Sequence, residues 1–206
     1  MGGIADFFNS LSIIYFIGAG VTVYGLTRGW RDFWDDRLTP RDYQLAGGAA
    51  FFLLVPIGVL LHEFGHMLAA WSTGAEVRSL GYLLYWGYVS YIPATGDPLA
   101  EWYVSLAGNA FSYFLGIACL FAAVRLVKLH VILRVVLLQL GILELAQTLI
   151  FYPLLDLDPA FSGDWESIYS FRAPIASGIT AVVHVVSLIA LFFFLNRNRT
   201  AKQLLY

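Results

Sequence analysis

The sequence predicts an all-α polytopic membrane protein of about five transmembrane helices with a small membrane-associated β-hairpin. Of its 206 residues, 59% are hydrophobic and only 13% charged, and the mean hydropathy is +0.72. A water-soluble core of this size cannot absorb so much apolar surface. Several runs approach or pass the roughly 20 residues that cross about 30 Å of hydrocarbon. The linkers are short and free of repeats, so 1–206 is expected to be a single multi-pass domain in the lipid bilayer. The net charge of −2 says nothing useful about nucleic acid, which is not expected as a partner. A single cysteine, Cys119, lies in an apolar run, which excludes a disulfide framework and a thiolate zinc site.

The expected spans are 7–26, 44–71, 99–126, 131–152 and 174–195. The first lacks the basic region and small-residue cleavage site of a signal peptide and is kept as a retained span. Arg28, Arg31, Arg37 and Arg41 follow it. Arg125, Lys128 and Arg134 lie between the third and fourth spans, and Arg197, Arg199 and Lys202 follow the last. With alternating spans, these ten of the twelve Lys and Arg residues share one side, leaving Arg78 and Arg172 on the other. The positive-inside tendency makes the first side cytoplasmic and the N-terminus external.

The second span ends in Leu61-His62-Glu63-Phe64-Gly65-His66-Met67-Leu68. Two His residues four apart share a helical face and can hold one metal ion, and Glu63 beside them can take a proton from water as general base. His62 lies nine residues before Trp71, about 14 Å along a helix, which puts the site inside the membrane. Short HExxH strings also arise by chance. Ionisable groups within an apolar span are costly, however, and mark function more often than a polar packing cluster.

Two His leave room for a third ligand. The acidic loop Asp156-Leu157-Asp158-Pro159-Ala160-Phe161-Ser162-Gly163-Asp164-Trp165-Glu166 is its expected source. Asp164 is the chosen ligand, just ahead of what reads as a short helix; as a residue type it suits a helix N-cap equally well. Residues 79–92, rich in aromatic and β-branched side chains and ending at Pro93, read as a β-ribbon or as an interfacial aromatic belt. A free strand edge there would hold an unwound substrate segment. Glu144, with Gln147 and Thr148 on its face, is an alternative ligand, a proton relay or an interhelical hydrogen-bonding group. Asn109 and Ser112 invite the same packing reading, and His184 that of a bonded core His.

The chain resembles the site-2 protease family of intramembrane zinc metalloproteases. The resemblance covers about residues 60–169 and rests on HEFGH, on Ser105-Leu106-Ala107-Gly108-Asn109-Ala110-Phe111-Ser112, and on the acidic loop, which is similar to the family's N-x-x-P…D-G signature. It implies zinc bound by His62, His66 and Asp164, catalysis by Glu63, and substrate contacts from Asn109 and from the position of Asp156. Pro159 falls on the family's Pro. Asp156 stands where the family usually has Asn, and Trp165 where it usually has Gly. The resemblance further implies a catalytic core over 44–169 and hydrolysis of membrane-spanning or membrane-proximal polypeptides. Two rival expectations are an inactive relative that binds metal or client segments, and a metal carrier using His62, His66, Glu144 and His184 along a path.

Overall fold

The computed structural model describes residues 2–158, 161 and 163–205, with side chains from residue 12 onward. Pro159 and Ser162 lie outside the described residues. The long helices are α1 (Gly2–Arg28), α2 (Pro40–Ser72), α3 (Pro98–Arg125), α4 (Val131–Leu155) and α6 (Pro174–Arg197). Two short helices, α5 (Asp164–Ile168) and α7 (Arg199–Leu205), complete the set used below.

Four helices among the described residues, α2, α3, α4 and α6, are long and apolar enough to cross a membrane, where about five were expected. The remaining expected span, 7–26, is helical within α1, but its first side chains fall outside the described residues, so it does not present a full apolar stretch among them. α2 begins four residues earlier than the apolar run because Thr39 caps it. The Thr39 side chain accepts from the Asp42 N–H while the Asp42 carboxylate accepts from the Thr39 N–H, and Pro40 fits the first turn.

Residues 79–92 form a hairpin rather than a helix, with β1 (Glu76–Tyr82) antiparallel to β2 (Gly87–Ile92), paired from Glu76↔Ile92 to Tyr82↔Gly87. α3 packs closely on both α2 and α4. At one crossing a Cβ on Gly65 would lie 2.8 Å from the Ala107 carbonyl oxygen, and at the other a Cβ on Gly141 would lie 2.8 Å from that of Gly116. Small residues at these crossings let the backbones meet, which is how helices associate where lipid removes any hydrophobic drive. The largest core cluster lies around Ile132, Val135 and Leu138 and reaches Phe33, Ala123, Ala201 and Leu204.

That cluster gathers the 28–41 segment, the α3–α4 turn and α7 at one end of the bundle, which brings the basic segments together. Asp36 and His130 approach to 3.7 Å at the same end. The positive-inside tendency therefore predicts that a cysteine at Thr39 is protected from an impermeant thiol reagent in intact cells while one at Ser162 is labelled. Labelling at Thr39 with protection at Ser162 would reverse the orientation.

α2 and α4 are each broken by a π-helical stretch followed by proline. Residues Ala49–Leu54 are π-helical ahead of Pro56, and Gln147–Phe151 ahead of Pro153. Proline has no N–H to give the carbonyl four residues before it, and in hydrocarbon that carbonyl needs another donor. Tyr85 of the hairpin turn donates to the Phe52 carbonyl at 3.0 Å, and His184 Nε2 of α6 donates to the Leu149 carbonyl at 2.7 Å. Tyr82 also donates to the Pro56 carbonyl at 2.7 Å. The hairpin is thus fastened to α2, and α6 to α4. His184 is a half-buried, hydrogen-bonded His, and with Nε2 donating, its Nδ1 accepts from the Tyr169 hydroxyl.

Removing His184 leaves both partners in apolar surroundings, at about 1–3 kcal/mol for each orphaned group. His184→Phe should lower the thermal unfolding midpoint in detergent more than His184→Gln, whose amide can still donate. Equal melting of both variants and the unsubstituted chain would refute this account of His184.

Candidate metal centre

His62, Glu63 and His66 face inward from α2. Glu63 is 5% exposed and His66 7%, whereas Phe64 and Leu68 on the opposite face are exposed. Asp164, the first residue of α5 and 102 positions along the chain from His62, closes on the pair. Its Oδ2 lies 3.2 Å from His62 Nε2 and 3.0 Å from His66 Nε2, and the two Nε2 atoms are 2.9 Å apart. These three are the group of donors, among the described residues, arranged to hold a metal ion.

The donor set and size suit zinc. A tetrahedral zinc with ligands at about 2.0–2.1 Å has ligand–ligand edges of about 3.3–3.4 Å, slightly wider than this triangle. The rings are also oriented for it. His66 Nδ1 donates to the Val104 carbonyl at 2.7 Å, and His62 Nδ1 meets Ser112 Oγ at 3.3 Å, which turns both Nε2 atoms toward the centre. A Cβ on Gly108 would fall 2.2 Å from His66 Nε2, so the imidazole fits only because position 108 carries no side chain.

α5 presents Asp164 through a small hydrogen-bonded frame. Asn109 Nδ2 donates to Asp164 Oδ2 at 3.0 Å and to the Ser105 carbonyl at 3.2 Å. The Tyr152 hydroxyl bonds the Asp164 backbone, and its ring lies 5.9 Å from that of His62. Burial opposes ionisation of Asp164, but the charge of His66 and hydrogen bonds from both imidazoles outweigh it and hold the carboxyl well below the usual range.

The N-cap role weighed for Asp164 is not the one it takes. Gly163 is the N-cap residue and makes no side-chain cap bond. Asp156 does that work from outside the helix, its Oδ2 accepting from the Trp165 N–H at 2.7 Å. A Cβ on Gly163 would meet Asp156 Oδ1 at 2.2 Å, and that oxygen is buried with no hydrogen-bond partner among the described residues. Burial and the neighbouring Asp164 raise the Asp156 carboxyl to about 6. Trp165, in place of the smaller residue the resemblance implies, is 4% exposed and packs against Tyr169 and His184.

The hairpin covers Glu63. A Cβ on Gly87, the first residue of β2, would lie 2.5 Å from Glu63 Cγ and 2.7 Å from Oε1. Glu63 also interacts electrostatically with His66 and Asp164. The structure therefore brings together His62, Glu63, His66, Asp164 and Asn109, with Asp156 bracing the helix that carries Asp164. Sequence reasoning missed Tyr152, the Val104 carbonyl and Gly87. The carbonyl belongs to every residue alike, and neither Tyr152 nor Gly87 stands in a spacing that signals contact.

Fold and site together define a helical protein, suited to the membrane, with a buried two-His, one-carboxylate centre beside a glutamate. A protein of Synechocystis sp. named "Putative zinc metalloprotease sll0528" is 35% identical over 82 residues, covering 36% of this chain. The match spans 22% of that protein's length and supports a metalloprotease relationship. No family model and no solved structure matches the chain.

Proposed function

We propose that the chain is an intramembrane zinc metalloprotease that hydrolyses peptide bonds of membrane-spanning or membrane-proximal polypeptides. The observation that carries this reading is the convergence of His62, His66 and Asp164 donor atoms within 3.2 Å of one another, with both imidazoles on a helix apolar enough to span a bilayer. His62, His66 and Asp164 would hold the ion, which when bound supplies Lewis acidity and makes water more acidic. Glu63 takes the proton from the attacking water and returns it to the leaving amine. Asn109 holds Asp164 in place through its amide, and the hairpin shields Glu63 from lipid.

A site at this depth meets transmembrane segments first, and hydrolysis needs their backbone unwound. In detergent, the purified chain should carry zinc and cleave membrane-spanning peptides that contain helix-destabilising residues faster than uninterrupted apolar helices. Zinc-loaded protein that cleaves neither kind would favour the non-catalytic, client-binding reading. A metal-carrier path through His184 is disfavoured because the Leu149 carbonyl and the Tyr169 hydroxyl engage both of its ring nitrogens.

A further inference from the structure

Glu144 is a carboxylic acid buried in the middle of a membrane helix, 4% exposed, and takes no part in the chemistry described above. Such a group is expensive in hydrocarbon and persists where it has a partner and a task. Its partner is Ser112 of α3, 5% exposed, which hydrogen-bonds the Glu144 carboxyl. Ser112 Oγ also lies 3.3 Å from His62 Nδ1. The carboxyl rests over Gly58 of α2, one turn before His62, where a Cβ would come within 2.0 Å of Oε1. Three helices thus contribute Gly58 and His62, Ser112, and Glu144 to one continuous contact.

We propose that Glu144 is a positioning residue for the metal centre, acting on His62 through the Ser112 hydroxyl. The inference rests on the reading of His62 as a metal ligand. When Nε2 of His62 faces the ion, Nδ1 carries the proton and donates to Ser112 Oγ. A serine hydroxyl has one hydrogen, which is then free for the Glu144 carboxyl. With the Glu144 carboxylate accepting at its end, the chain runs in that sense, so Glu144 favours the Nδ1–H tautomer and the ring orientation of His62 and strengthens it as a donor to the metal. His66 gains the same from the Val104 carbonyl directly. Ser112 supplies the extra length needed to reach a carboxyl on α4.

The test is zinc affinity of the full chain in detergent, measured by competition with a chromophoric chelator. Ser112→Ala and Glu144→Ala should each weaken zinc binding by about 10–100-fold, the range for losing such a partner. The double variant should be no weaker than the worse single one, because both act through one chain of hydrogen bonds. Glu144→Gln, whose amide oxygen still accepts from Ser112, should restore most of the affinity. Gly58→Ala should weaken binding by pushing the carboxyl aside without removing it. A merely structural Glu144 would instead give additive losses and no recovery with Gln. Zinc held by the unsubstituted chain and equally by Ser112→Ala and Glu144→Gln, with Glu144→Ala unfolded, would overturn the role while the metal centre stands. An unsubstituted chain that holds no zinc would overturn both.

Discussion

Glu63→Gln is expected to keep its zinc and lose hydrolysis, because the substitution removes proton transfer while touching none of the three ligands. The loss should be at least about 10²–10⁴-fold, the usual contribution of a positioned general base. The structure sharpens the expectation. Glu63 is buried against Gly87 of β2, so an isosteric amide fits where a larger side chain would lift the hairpin. His62→Ala or His66→Ala, by contrast, should reduce zinc well below one per chain. Full zinc occupancy in the doubly substituted chain would rule the site out, and residual cleavage by Glu63→Gln at the unsubstituted rate would remove Glu63 from the chemistry.

The second large effect separates the acids of the loop. Asp164→Ala should lose zinc and activity together, since its Oδ2 is the oxygen within 3.2 Å of both imidazoles. Asp158→Ala should be nearly silent, because Asp158 stands outside the group of metal donors. Zinc content and cleavage measured on the two variants decide the matter. Zinc lost from Asp158→Ala and retained by Asp164→Ala would mean that the loop binds by a different residue.

Much of this arrangement was legible in the residues. Hydropathy marked the four helices that are long and apolar enough to cross a membrane to within a few residues at most ends, because a bilayer demands long unbroken apolar runs. Strand propensity marked the hairpin, and helical spacing put His62 and His66 on one face. The start of α2 was less visible, since Pro40–Tyr43 is polar and only the Thr39–Asp42 box extends the helix back to it. The division of labour between the loop acids could not be read from type. Asp156 and Asp164 are chemically alike, and only the placement of Gly163 between Asp156 and α5 decides which one caps and which one faces the imidazoles. The π-helical breaks were only partly visible, because Pro56 and Pro153 stand in the sequence whereas the donors that satisfy the freed carbonyls, Tyr85 and His184, lie tens of positions away.

Those two breaks carry a consequence for how the bundle opens. Pro56 lies six residues before His62 and Pro153 eleven before Asp164, so the stretch of α2 that carries His62 and His66 and the segment that leads from α4 to Asp164 each follow a seam in the backbone ladder. Each seam is closed by a side chain, Tyr85 in one case and His184 in the other. The site end is therefore expected to open apart from the opposite end of the bundle. It can loosen by giving up a few side-chain hydrogen bonds, each worth about 0.5–1.5 kcal/mol net, while the cluster around Ile132, Val135 and Leu138 stays packed. Under the proposed function, admission of a polypeptide to the centre would be a local fluctuation of one end, with the opposite end as the fixed base against which it moves.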